Sequence, residues 1–154
     1  MPTNLSYWIN LYKTFKKDSI CLDIEVTDFG GPISLIGIYT PKPGLIECQT
    51  FIRGKNLEKD NIQAIFSNAK LIITFNGWSF DIPKIKEEFP GLIPDNLKIL
   101  DLHLFAKALD MPHSLRTLEN TFGIERLTKD SERKGIAIKL WNQHLRESTA
   151  SLKN

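Results

Sequence analysis

Three runs of β-forming residues lie in a row in this chain, joined by links that hold only a turn. Residues 20–26 are apolar with acids inserted, 33–39 are almost wholly apolar, and 45–52 are rich in strand formers. Gly30-Gly31-Pro32 and Pro41-Lys42-Pro43-Gly44 separate them. Glycine and proline clusters reverse a chain. Links this short cannot carry the crossover that parallel neighbours need, so the three strands run antiparallel.

After residue 55 the rhythm changes. Asn56 is placed to cap a helix running to residue 68, with Leu57, Ile62, Ile65 and Phe66 turned inward. Residues 71–75 form a buried-type strand, 79–89 a helix with Ile82, Ile85 and Phe89 on one face, and 97–100 a short strand. Helical patterns follow at 102–109, 114–122 and 135–145. The expected fold is therefore α/β: a mixed five-stranded sheet, three strands antiparallel and the rest alternating with helices, flanked by helices. A length of 154 residues suits a single domain, 1–154. Within it, residues 1–17 read as an N-terminal helical extension. Leu5, Trp8, Ile9, Tyr12 and Phe15 recur there at helical spacing, which suits docking on the domain; a partner or a membrane surface is the other use of such a stripe.

Charge excludes little. Twenty basic and 18 acidic residues leave +2, too mild to mark a nucleic-acid binder but compatible with a local basic groove. No run reaches the roughly 20 apolar residues that span a bilayer, and the N-terminus lacks a signal peptide's apolar core. Cys21 and Cys48 lack metal-ligand spacing. They read as buried free thiols, with a disulfide as the alternative. The expectation is a cytoplasmic protein with no membrane segment.

The chemistry concentrates in two segments. In Cys21-Leu22-Asp23-Ile24-Glu25-Val26-Thr27, Asp23 and Glu25 are two apart on a strand and project from the same face. Adjacent carboxylates repel, and burying them unpaired is costly. A divalent cation such as Mg²⁺ or Mn²⁺ removes both problems, because hard oxygens suit hard ions. An edge strand with a solvated acidic face is the bland alternative. In Thr74-Phe75-Asn76-Gly77-Trp78-Ser79-Phe80-Asp81-Ile82-Pro83, Asn76-Gly77 turns a strand into a helix and Asp81 falls in its first turns. Ligands collect at such strand ends, although an acid there also complements a helix N-terminus.

Together these segments resemble the ribonuclease H-like 3′-5′ exonuclease superfamily that uses Asp-Glu-Asp-Asp carboxylates, and within it the YprB-type branch. Asp23-Ile24-Glu25 with Thr27 is similar to its first motif. Phe75-Asn76-Gly77 with Phe80-Asp81-Ile82-Pro83 is similar to its second. Leu35-Ile36-Gly37-Ile38-Tyr39, Asp101-Leu102, Ser114-Leu115, Gly123-Ile124-Glu125-Arg126 and residues 135–141 extend the likeness over nearly all the chain after Ser19. The resemblance implies a two-metal phosphodiester hydrolase with Mg²⁺ or Mn²⁺ as cofactor, acting 3′-5′ on single-stranded nucleic acid. It implies Asp23, Glu25 and Asp81 as catalytic metal ligands, with Asp23 shared between the ions.

One departure stands out. The superfamily's third motif places Tyr or His four positions before Asp on a C-terminal helix. Tyr7, Tyr12 and Tyr39 come too early, Lys107, Thr117 and Ser148 stand four positions after His103, His113 and His144, and no Asp follows Asp130. That catalytic helix is expected to be missing, and Glu147 is the remaining acid that could stand in. Weak or absent nuclease activity follows as the expectation; the alternative is a non-catalytic nucleic-acid-binding or assembly domain with a degenerate site. Thr27, Asn76, Trp78 and Phe80 are the candidate substrate contacts, with aromatic rings available for stacking on bases; turn shaping for Asn76 and core packing for Phe80 are their structural alternatives. Asp101 and His103 are candidate supporting residues behind the ligands. Asp101 also suits capping the next helix, and His103 a plain helix surface. Lys84, Lys86 and the basic residues of 129–134 suit either phosphate contacts or a solvated face.

Overall fold

The computed structural model describes residues 4–42, 45–126 and 135–151. Five strands form one sheet in the order β3-β2-β1-β4-β5: β1 (Ser19–Val26), β2 (Ile33–Lys42), β3 (Leu45–Ile52), β4 (Leu71–Thr74) and β5 (Lys98–Asp101). The first three are antiparallel, as the short links require, and β1, β4 and β5 are parallel. Helix α2 (Lys59–Asn68) makes the crossover from β3 that a parallel β4 demands. Helices α3 (Asp81–Glu88), α4 (Leu102–Ala108), α5 (Leu115–Thr121) and α6 (Ile136–Ser151) follow, and α1 (Leu5–Phe15) precedes the sheet.

Strand alternation sorts the core into two layers. Ile20, Leu22 and Ile24 of β1 join Ile36, Ile38, Phe51 and Ile72 on one face, under α2 and α3. Ile62 and Phe66 of α2 are fully buried there, each contributing about 1.5–3 kcal/mol through lost water contact. On the other face, Trp8 and Leu11 of α1 cover Leu71 and Leu100, with Leu104 and Phe105 of α4 beside them. The α1 stripe is thus rotated from the expected one: Leu11 is buried, while Ile9 and Tyr12 are exposed. Helix α6 approaches β1.

Two further expectations are corrected, and a third falls partly outside the described residues. Asn56 does not cap α2. Its Oδ1 accepts from Ile52 N at 2.7 Å and its Nδ2 donates to Thr50 O at 3.1 Å, so it closes the end of β3, and Glu58 takes the cap position. The cysteines are free but not buried: Cys48 is exposed and Cys21 half-buried. Both face Tyr39 of β2 from opposite sides. Two strand spacings, about 10 Å, put them beyond disulfide reach. The predicted turn at 41–44 includes residues 43–44, which lie outside the described residues.

Candidate active site

The site forms at the end of the sheet where β1 runs on past β4 and β5. On β1, Ile24 turns into the core while Asp23 and Glu25 on either side project to the opposite face, both exposed. Gly37 is the β2 residue paired with Asp23. A larger side chain there would stand beside the carboxylate, since cross-strand partners share a face.

Asp81 arrives from another element. The pairing of β1 with β4 stops at Cys21–Ile73, so β1 continues past its parallel neighbour. The Ile24 N–H left over donates to Asp81 Oδ1 at 3.0 Å. Asp81 thereby substitutes for the missing strand and brings a carboxylate beside Asp23. The same helix is held at its other end, where Glu88 Oε2 accepts from Ile33 N at 2.8 Å and pairs with Arg53. Helix α3 is therefore clamped to both β1 and β2.

The turn before α3 is built for this delivery. Asn76 adopts φ 60°, a left-handed conformation that Asn tolerates better than most residues. Its Oδ1 accepts from Ser79 Oγ at 2.9 Å, so its side chain shapes the turn. Gly77 follows because a Cβ there would collide with Thr74 Oγ1. Gly77 O then accepts from Ile82 N at 2.8 Å, starting the helix.

Asp101 holds the turn from below. Only 2% exposed at the end of β5, it accepts three backbone N–H bonds: from Asn76 (2.9 Å) and His103 (2.9 Å) on Oδ1, and from Trp78 (3.0 Å) on Oδ2. It caps α4, as the sequence suggested, and it also ties the β4–α3 turn to β5. No local pattern announces those two longer-range bonds.

The remaining candidates are distributed around this centre. Trp78 and Phe80 are exposed on the turn, so Phe80 lies outside the core. Thr27 donates its N–H to Pro32 O at 3.0 Å in the β1–β2 loop. The His103 ring is engaged with His113 O at 3.0 Å and the edge of Phe75. Glu147 on α6 is exposed and accepts from Gln143 Nε2 at 2.9 Å. Lys84 pairs with Glu87; residues 129–134 lie outside the described residues.

Burial and the charge of Asp23 together disfavour ionisation of its neighbours. Asp81 is pushed up to about 6, first by burial, then by the negative charges of Asp23 and, less, Asp101, against the pull of the Ile24 N–H. Glu25 is raised by desolvation and by Asp23. Asp23 is raised by desolvation, and the Ile24 N–H offsets part of this. Among the described residues no three His, Cys, Asp or Glu side chains sit closely enough to hold a metal ion. Asp23, Glu25 and Asp81 nevertheless offer hard oxygen donors of a kind that suits Mg²⁺ or Mn²⁺, and a positive charge would relieve the repulsion that Asp23 exerts on the other two.

A mixed sheet ordered β3-β2-β1-β4-β5, flanked by helices, with acids at the ends of its parallel strands, is a ribonuclease H-like α/β fold. The RNase_H_2 family model, of the RNase H superfamily, matches residues 20–154, and the chain belongs to that family. The crystal structure of the EXD2 exonuclease domain soaked in Mn and Mg is similar at 19% identity and a TM-score of 0.41, over 99% of this chain and 91% of that one. No curated protein matches.

Proposed function

We propose that this domain is a metal-dependent phosphodiesterase acting 3′-5′ on single-stranded nucleic-acid ends, with turnover held low by an incomplete ligand set. The observation that carries the reading is Asp81's carboxylate, placed on the Ile24 amide and raised by burial and by Asp23. Asp23, Glu25 and Asp81 would hold Mg²⁺ or Mn²⁺, which when bound supplies an acidified water and charge neutralisation at phosphate. The chain's own part is positional. Asp101 fixes the turn, α3 presents Asp81, and Trp78 and Phe80 offer exposed rings on which terminal bases stack. Thr27 and Asn76 lie on the two loops that bound the site.

A second reading, a nucleic-acid-binding or assembly domain without turnover, is favoured by one observation. Glu147, the acid available on α6, is engaged with Gln143. The deciding experiment incubates the full chain with end-labelled single-stranded DNA and RNA in Mn²⁺, Mg²⁺ or EDTA. Slow end-directed release in Mn²⁺, lost in EDTA and in Asp23→Asn, is expected. Binding without any release favours the second reading. Fast release that survives Asp23→Asn would sink the site.

A further inference from the structure

One face of β1 forms a floor that runs back from the carboxylates to the start of the strand. Ser19, Cys21, Asp23 and Glu25 occupy alternate positions and share one face. Asp23 and Ser19 are about 13 Å apart along the strand. At the Ser19 end the floor opens into two adjoining hollows of about 620 and 530 Å³, within the range of small-molecule sites. They share Tyr12, Lys16 and Ile73. Lys17 and Tyr39 line the first and Lys13 the second. No carboxylate lines either one, and no ion-pair partner for these lysines exists among the described residues. Three unpaired exposed lysines in one trough are a marked local excess for a chain of net charge +2. All three lysines lie on α1 and the 3₁₀ turn Lys16–Asp18, which precede the family match at residue 20.

We infer that this trough is a second binding site for single-stranded nucleic acid, seating nucleotides adjacent to the one at the carboxylates. The lysines neutralise phosphates, and Tyr12 and Tyr39 present rings for stacking, the combination that holds single strands without regard to sequence. The trough is concave, and Cys21 in its lining is two positions from Asp23 on the same face of β1. That suits a flexible polyanion carrying planar groups better than a membrane surface. The inference rests on reading the carboxylate end as a phosphodiester site, and its test separates the two.

The test is fluorescence anisotropy of the full chain in EDTA with labelled oligonucleotides of about 4 and about 12 nucleotides. The longer strand is expected to bind at least about tenfold tighter. Lys13→Gln/Lys16→Gln/Lys17→Gln should remove that gain and flatten the salt dependence of log K by about 2 units, while the triple Lys→Arg variant keeps both. Tyr12→Ala should weaken binding about fivefold. Unchanged affinity and salt slope in the Gln variant overturn the proposal, as does wild-type preference for anionic vesicles or polyglutamate over oligonucleotides. Binding lost in the Gln variant, with no hydrolysis by wild type in Mn²⁺, keeps the trough and removes the phosphodiesterase reading. Hydrolysis with trough-independent binding does the reverse.

Discussion

Asp81 and Asp101 are both buried acids, and their surroundings treat them oppositely. Asp101 has three N–H donors to offset its desolvation; Asp81 has the Ile24 N–H, and faces Asp23. A raised carboxyl means that the native state binds a proton more tightly than the unfolded chain does. The penalty for ionising Asp81 is therefore full above about pH 6 and absent below its ordinary value near 3.8. Metal-free protein should gain roughly 3 kcal/mol at most from this group as pH falls from about 7 to about 4. Asp81→Asn keeps an oxygen for Ile24 N–H and should cancel that part of the pH dependence in urea melts. A wild-type minus variant difference that does not change with pH would count against the burial argument. For Asp101→Ala the expectation is a loss of about 2–4 kcal/mol, since three buried N–H groups lose their acceptor. Asp101→Asn should cost less, because one oxygen remains. Equal stability of all three forms would show that water replaces the carboxylate.

The β4–α3 turn is the element on which the site depends. Strand, turn and helix are each locally specified: an apolar run, Asn-Gly, then an amphipathic pattern. Their junction is tight because Gly77 lies over the side chain of Thr74, which is itself buried. Gly77→Ala should destabilise by about 1–3 kcal/mol through overpacking. The same change should also shift Asp81 from the Ile24 amide, since the turn must move. In the Thr74→Ala background its cost should fall by about half, because Oγ1 and Cγ2 are gone while Cβ remains at 2.9 Å. Strictly additive effects in this cycle would deny the contact. Helix α1 shows the complementary case. Its helical pattern is legible, but its buried stripe is Trp8 and Leu11, because the sheet face at Leu71 and Leu100 decides which side docks.

At the scale of the whole molecule, a cation held between β1 and α3 would make ion binding and the fold mutually dependent. Asp23, Glu25 and Asp81 come from two elements and disfavour one another's charge. An ion that binds only this arrangement stabilises it by mass action. At about ten times its Kd, Mn²⁺ should add about 1.4 kcal/mol, a Tm rise of about 3–6 °C. Asp23→Asn should abolish the increment. A melting temperature indifferent to millimolar Mn²⁺ would speak against a shared ion at these residues.

Much of the architecture was legible in the order of patterns. Short Gly-Pro links force antiparallel pairing, and a helix between strands permits parallel pairing, because link length and crossover geometry are local constraints. The i, i+2 spacing likewise placed Asp23 and Glu25 on one face without reference to any neighbour. What local pattern could not supply is contact between distant residues. Asp81 meets the Ile24 amide across 57 positions and Asp101 meets Asn76 across 25. Asn56 prefers the end of β3 to the helix it seemed to cap. Each outcome depends on which N–H groups the sheet leaves open, and only the assembled sheet determines that. The lysines of α1 are ordinary surface charges in the sequence. The tertiary structure gathers them into one trough, because docking Trp8 and Leu11 fixes which way the rest of the helix faces.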